Sequence, residues 1–425
     1  MTSAPRSASM APKDRVYIVN RIKQLISSRH INACNPSQDY RPWLELVDRR
    51  SDALIGSAND QEFERGIREV VNRLGSSHTS FFHLRDDTVP AQYSINATLR
   101  AIDTMNGKRW MFLDVIEDGA ASRAGIKSGE LLLAMDSSAL IPPRTPTFRI
   151  GGKHQLDIEG RGGQIRQVRI EIPDKRAKHR PPMVEPKCLS HRMITGDIGF
   201  IKVSTFPGAV GLEFARNLDL AVEDLKGRGM ERFIIDLRGN VGGGLGSLRL
   251  MSYLCPNKLE IGYSVTRPRL RNGYRKEDLI RIERIPANKP ELVIMALRFC
   301  LIRRDRSLVL VTEGLGGQPY HGRIVLIVNE YTHSAAEMVA SFAKEHRLAT
   351  IVGTRTAGEV LGGANFNLRN GYRLRIPTAA WFTWQGDSIE GKGVEPDLTI
   401  DNPAESLAAG RDPQLDKAVA VVQNL

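Results

Sequence analysis

The chain is expected to fold as an α/β protein, and three features point to that class. An unbroken apolar run, Ile324-Val325-Leu326-Ile327-Val328, reads as a buried strand, and Ala335, Met338, Val339, Phe342 and Ala343 then recur at helical spacing. Upstream, Gly199–Phe206 and Phe233–Leu237 read as strands with a helical pattern, Leu212–Leu225, between them. Downstream, Ala349–Gly353 adds a further strand. Strand–helix–strand alternation of this kind calls for helices packed on a sheet.

At 425 residues the chain has room for two or three domains. Residues 1–13 are Ser/Ala/Pro-rich and are expected to be a disordered tail. Residues 14–93 form an N-terminal helical region. One helix starts at Asp14, with Ile18, Ile22, Leu25 and Ile26 on one face. Another starts near Asp60, carries Phe63, Ile67, Val70, Val71 and Leu74, and ends at Gly75, a left-handed cap residue. From Ser94 short strand-like runs alternate with turns, Trp110–Ile116 among them. The segment Asp118–Asp136, with Ala120, Ala121 and Ala124 in a short helix and Gly125 and Gly129 at turns, resembles the signature of a PDZ domain. Residues 94–174 are therefore expected to be PDZ-like. A basic, proline-containing linker spans 175–194, the α/β domain 195–410, and a C-terminal helix 411–425. Pro256–Tyr320 reads as a long basic insertion with its own local structure.

Composition excludes several classes. Hydrophobic content of 41% with 25% charged residues is ordinary for a soluble globular protein. The net charge of +12 gathers along Arg144–Arg192 and Arg267–Arg284. No aromatic-interleaved basic motif accompanies it, so a solvated basic surface is expected and no nucleic-acid partner. The four cysteines, Cys34, Cys188, Cys255 and Cys300, make no CxxC pair, which argues against zinc and redox motifs. The N-terminus lacks the apolar core of a secretory signal, and no apolar run is long enough for a membrane span, so a cytoplasmic location is expected.

The chemistry centres on Asn329-Glu330-Tyr331-Thr332-His333-Ser334-Ala335-Ala336-Glu337, where a strand hands over to a helix. Serine is a favoured helix cap, so Ser334 alone reads as a cap or as a nucleophile. At such a junction the free N–H groups of the helix start face whatever the serine attacks, which suits a developing oxyanion. A nucleophilic serine needs a base. His78, in Gly75-Ser76-Ser77-His78-Thr79, is the candidate, since His333 adjoins Ser334 and neighbouring side chains at such a junction rarely face each other. Carboxylates able to orient the base lie in Ser388–Asp397. The loop Asp236-Leu237-Arg238-Gly239-Asn240-Val241-Gly242-Gly243-Gly244 reads as the second half of an oxyanion hole. It lacks the Lys-Ser/Thr ending of a phosphate-binding P-loop.

Taken together, the Asp236–Gly244 loop, the Ser334-Ala335-Ala336-Glu337 helix start, the Thr356-Ala357-Gly358 turn and Gly393-Val394-Glu395-Pro396-Asp397 resemble the carboxyl-terminal processing, or tail-specific, proteases. The resemblance covers about Gly75 to Ile400. In one branch of that family the base is a lysine about 25 residues after the serine. Here Glu359 stands in the matching turn. In the branch typified by the tricorn core protease the base is the histidine of a Ser-His pair, and Ser77-His78 matches it. The resemblance therefore implies Ser334 as nucleophile, His78 as base and Glu390 as orienter through Ser77, with Glu395 as the fallback for Glu390. It implies an oxyanion hole from the amides of Ala335 and of Gly242 or Gly243. It further implies a crotonase-like or ClpP-like catalytic domain, an extended peptide or protein substrate recognised in part by its C-terminal segment, and acyl-enzyme chemistry without metal or cofactor. Homo-oligomerisation is left open. The PDZ-like segment departs from its usual pattern, with Tyr93–Leu99 where a Gly-rich carboxylate-binding loop is common. Two rival readings stand beside the endopeptidase: a non-catalytic peptide- or ligand-binding protein of the same fold, and a small-molecule acyl hydrolase.

Overall fold

The computed structural model of the chain describes residues 10–34, 40–174, 182–286, 288–297 and 307–425. Its centre is a six-stranded sheet in the order Leu189–Met193, Ile198–Val203, Arg232–Asp236, Ile324–Val328, Thr350–Gly353, Leu398–Thr399. The first pair is antiparallel and every later pair parallel. Parallel strands are covered on both faces, which is why Ile324–Val328 is apolar without alternation and buried throughout. On one face pack the helices Leu212–Gly227, Gly246–Ser252 and Ala335–Glu345, with Phe214, Leu218, Leu250, Val339 and Phe342 in the core. On the other face the C-terminal helix Pro413–Gln423 lays Ala418 and Val422 against Ile198, Phe200, Ile234, Val325 and Ile327. Burial of each large aliphatic or aromatic side chain contributes about 1.5–3 kcal/mol. The expected strands and helices are present, and the mixed α/β class holds.

The basic insertion is not a separate body. Glu260–Thr266, Ile280–Ile282 and Leu308–Val311 join a second sheet in the order Ser80–His83, Tyr372–Thr383, Glu260–Thr266, Leu308–Val311, Ile280–Ile282. Gly362–Asn367 pairs with the long Tyr372–Thr383 strand as well. Short-range reading missed this because Glu260–Thr266 finds its second partner, Tyr372–Thr383, more than a hundred residues away.

The N-terminal region also differs from expectation. Met10 is buried and the first helix starts at Pro12, inside the segment expected as a disordered tail; residues 1–9 lie outside the described residues. A helix at Arg41–Ile55 joins those at Pro12–Arg29 and Asp60–Asn72. Their shared core is completed by Phe81, Tyr372, Leu374 and Ile376 of the second sheet. Gly75 has φ 60° and turns the chain from the last helix toward Ser77-His78.

Residues 97–171 form a third sheet, Ala97–Thr104, Gly107–Val115, Leu131–Met135, Lys153–Glu159, Ile165–Glu171, around a core of their own with the short helix Ala120–Arg123. The expected linker is structured where it is described. Val184 is buried, its N–H donates to the Tyr93 carbonyl at 2.7 Å, and Leu189–Met193 is a strand of the central sheet. Among the described residues no helix is long and apolar enough to cross a membrane.

Candidate active site

Two turns leave the carboxyl ends of adjacent parallel strands, where open α/β sheets place their ligands. One is Leu237–Gly244 after Arg232–Asp236, and the other is Asn329–Ser334 after Ile324–Val328. A buried ion network anchors the first. The Arg238 guanidinium donates to Asp236 at 2.8 Å and to both oxygens of Asp412 at 2.8 Å, and Lys202 Nζ reaches Asp236 at 3.1 Å. Burial alone pushes the Asp236 carboxyl up, but Arg238 and Lys202 hold it far below the usual carboxylate range.

Asn240 fastens the two turns together. Its side-chain amide donates to Val203 O at 2.9 Å and accepts from the Gly242 N–H at 2.8 Å, and its carbonyl accepts from the His333 N–H at 2.9 Å. The glycines allow close approach. A Cβ on Gly242 would lie 2.6 Å from Ser334 Cβ, and one on Gly243, at φ 142°, would lie 1.9 Å from Phe206 O. Because the Gly242 N–H is committed to Asn240, Gly243 is the glycine with a donor to offer. Among the described residues no protein acceptor is bonded to the N–H of Gly243 or of Ala335.

Ser334 sits immediately before the helix Ala335–Glu345 with φ 54° and ψ −119°. That region is costly for a residue with a Cβ, of order 1–3 kcal/mol. Glu337 offsets the strain. Its fully buried carboxylate accepts from the Ser334 N–H at 3.1 Å, Thr356 Oγ1 at 2.6 Å, the Gly358 N–H at 2.6 Å and the Glu359 N–H at 2.8 Å. Burial pushes this carboxyl above its ordinary value, and the four donors counteract it. The N–H that a capping serine takes from the third helical residue, that of Glu337, is bonded to the Ser334 carbonyl at 2.9 Å.

His78 lies in the turn after Gly75, with φ 57°. Its Nδ1 is 3.2 Å from Ser77 Oγ. Burial first, then the charge of Arg375, lowers its pKa to about 4, while Glu359 opposes the shift. Its ring is also within electrostatic reach of His333, the chain neighbour of Ser334. The turn is braced from behind, where Ser76 Oγ meets His30 Nε2 at 3.0 Å and Thr79 Oγ1 at 2.6 Å. Glu390 accepts from the Ser77 N–H at 3.3 Å and from the Val360 N–H at 2.9 Å, so it grips the backbone beside His78. Glu395 is not in this cluster. It is exposed and turned to Arg355 at 3.6 Å.

Three buried residues, Glu337, Asn240 and Asn329, hold this arrangement and were not singled out from sequence. Their signal was present only as polar residues inside an otherwise apolar strand–turn–helix. His333 is a further addition, with Nδ1 3.2 Å from Glu359 Oε2 and Nε2 buried without a protein partner. The hydrogen bond from His333 holds Glu359 below the ordinary carboxylate value. A position expected from the lysine branch to bear a base thus carries an imidazole-bound carboxylate.

Residues 197–400 match the profile of peptidase family S41. Tricorn protease homolog 1 of Streptomyces coelicolor is 23% identical over 399 residues, covering 89% of this chain and 32% of that protein. The carboxy-terminal-processing protease of Bartonella bacilliformis is 24% identical over 336 residues, covering 74% of this chain and 64% of that one. The chain thus spans about a third of the first relative and just under two thirds of the second. A solved structure of a photosystem II D1 C-terminal processing protease shares the fold, with TM-score 0.55, 15% identity, and 96% and 97% of the two chains covered.

Proposed function

We propose that this chain, whose residues 197–400 belong to peptidase family S41, is a serine endopeptidase that cuts extended polypeptides through an acyl-enzyme. The observation that carries the reading is the strained Ser334 beside two open backbone donors, the N–H groups of Ala335 and Gly243. In this reading Ser334 Oγ attacks the peptide carbonyl as His78 takes its proton. The carbonyl oxygen, now anionic, is held by the two N–H groups. His78 then protonates the leaving amine, and a water it deprotonates releases the acyl group. Ser77 and Glu390 hold the imidazole in place. The preference for Glu390 over Glu395, and for Gly243 over Gly242, follows from the hydrogen bonds each makes.

The five-stranded run of sheet in 97–171 with its short helix supports reading residues 94–174 as PDZ-like, a unit that takes peptides by strand addition. The parallel sheet with its serine at a strand–helix junction supports the crotonase-like or ClpP-like description of the catalytic domain.

Treating the protein with a fluorophosphonate and mapping the adduct by peptide mass spectrometry tests the reading. A single adduct at Ser334, lost in Ser334→Ala and strongly reduced in His78→Ala, is expected. A folded protein that takes no label would point to a binding protein, and full labelling of His78→Ala would remove His78 as the base.

A further inference from the structure

Three consecutive residues ahead of the nucleophile are each bonded to one hairpin of the 97–171 unit, made by the strands Ala97–Thr104 and Gly107–Val115. Asn329 Nδ2 donates to Asp114 Oδ2 at 2.8 Å, and Asp114 also accepts from Thr98 Oγ1 at 2.7 Å. The Glu330 carboxylate accepts from Arg100 Nε at 2.9 Å and from a second guanidinium nitrogen at 2.6 Å. The Tyr331 hydroxyl donates to the Leu99 carbonyl. Asn329 is itself the cross-link of the site. Its Oδ1 accepts from the Gly239 N–H at 3.1 Å, in the glycine loop, and from the Tyr331 N–H at 3.1 Å, in the nucleophile turn.

The chemistry of these groups sets a direction. A carboxylate only accepts hydrogen bonds, so Asp114 takes the NH2 end of the Asn329 amide and leaves the oxygen for the two backbone donors. Asn329 is buried, so loss of Asp114 leaves the Asn329 NH2 without its carboxylate acceptor. The two turns that Asn329 joins carry one oxyanion donor each, Gly243 and Ala335. Their spacing is therefore held in part by a residue of another unit, 215 positions away in sequence.

We propose that Asp114, acting through Asn329, is a positioning residue for the reaction, and that the 97–171 unit is a structural part of the oxyanion hole. The inference rests on the peptidase reading above. Misplacing a reacting group by about 1 Å costs on the order of a hundredfold in rate. Asp114→Ala is expected to lower kcat and the rate of fluorophosphonate labelling at Ser334 by about 10- to 100-fold, with KM within about threefold. Asp114→Asn is expected to recover part of the loss, because its amide oxygen still accepts from Asn329. Tyr331→Phe removes one hydroxyl and is expected to slow labelling severalfold in a fully folded protein. The control is Glu130→Ala, which strips Arg166 of its buried partner in the same unit and touches nothing in the turn. It is expected to lower Tm and leave labelling unchanged. Labelling of wild-type protein that Asp114→Ala and Tyr331→Phe leave intact, or that falls no further than in Glu130→Ala, overturns this inference alone. Absence of label on wild-type protein overturns the peptidase reading and takes this inference with it.

Discussion

His78 and Ser334 both occupy left-handed backbone, φ 57° and φ 54°, and in each case surrounding hydrogen bonds hold the residue there. For Ser334 the brace is Glu337, and for His78 it is the Ser77–Glu390 contact in front and the His30–Ser76 contact behind. The environment of His78 has a kinetic consequence. In the proposed mechanism His78 is the base and works only when neutral, and burial with Arg375 nearby depresses its pKa to about 4. In the free enzyme His78 is therefore neutral from about pH 5 upward. The acid limb of kcat/KM is expected near pH 4, well below the 6.5 of a solvated imidazole, and a pH–rate profile on a peptide substrate reads it directly. A limb near 6.5 would place the working base in water and exclude this half-buried histidine. The positions of Ser334 and Ser77-His78 were legible in the sequence because local pattern reveals the boundaries they sit at, a strand–helix junction and a glycine cap. Glu337 was visible as a residue, but its role was not, because three of its four donors come from Thr356–Glu359.

Among the elements, the glycine loop leaves little room for a side chain at Gly242, Gly243 and Gly244. Gly243 lies edge-on to Phe206, whose N–H donates to Gly242 O and whose carbonyl accepts from the Gly244 N–H, each at 2.9 Å. Gly243→Ala adds a methyl group that meets backbone, which does not yield as a flexible side chain does, and it does so at φ 142°. The loop must shift, and the Gly243 N–H moves with it. Losing one oxyanion donor costs about 10²–10³ in kcat, so on the role proposed for the Gly243 N–H, Gly243→Ala is expected to lose at least about a hundredfold in peptide turnover. Gly227→Ala, in open space at the end of the Leu212–Gly227 helix, is the control expected to stay near wild type. Comparable turnover in the two variants would remove this loop from the oxyanion hole. The Ala335–Glu345 helix was read correctly from its period: Ala335, Val339, Phe342 and Ala343 are buried and Met338 is half-buried. The strands of the second sheet were not. Their partners are far apart along the chain, and a short apolar run does not say which sheet it joins.

At the scale of the molecule, the helical region, the 97–171 unit and the central sheet converge on one site, and two histidines, His30 buried and His78 half-buried, lie along the first of these seams. His30 is buried between the helical region and the Ser76–Thr79 turn, with Tyr40 OH 3.3 Å from Nδ1. Burial, then the nearby Arg267, lowers its pKa to about 4, and His78 behaves alike. The folded pKa values are below the unfolded 6.5, so the unfolded chain binds more protons as pH falls through 6.5. The stability that neutral burial confers is complete above that pH and is lost progressively down to about 4. His30 accounts for at most about 3 kcal/mol of the loss, and the half-buried His78 for less. A thermal denaturation series is expected to show Tm flat above pH 7 and falling between 6.5 and 4. His30→Gln is expected to lower Tm at pH 7 and flatten the fall. An unchanged slope in that variant would mean His30 is not buried in its neutral form.

The sequence by itself determined the α/β class, the serine at its junction and the Ser77-His78 pair beyond its glycine cap. All of these are carried by neighbours within a turn or two, where periodicity, capping and backbone sterics act. Only the tertiary structure shows that Glu390 and not Glu395 bonds the Ser77 backbone, that the Gly242 N–H is taken by Asn240, and which residues hold the two turns in register. These features rest on hydrogen bonds spanning up to 313 positions, as between Ser77 and Glu390, and on whether a given N–H is already spent. Directional bonds between distant residues form only where packing has brought both ends out of water, and local pattern carries no record of that.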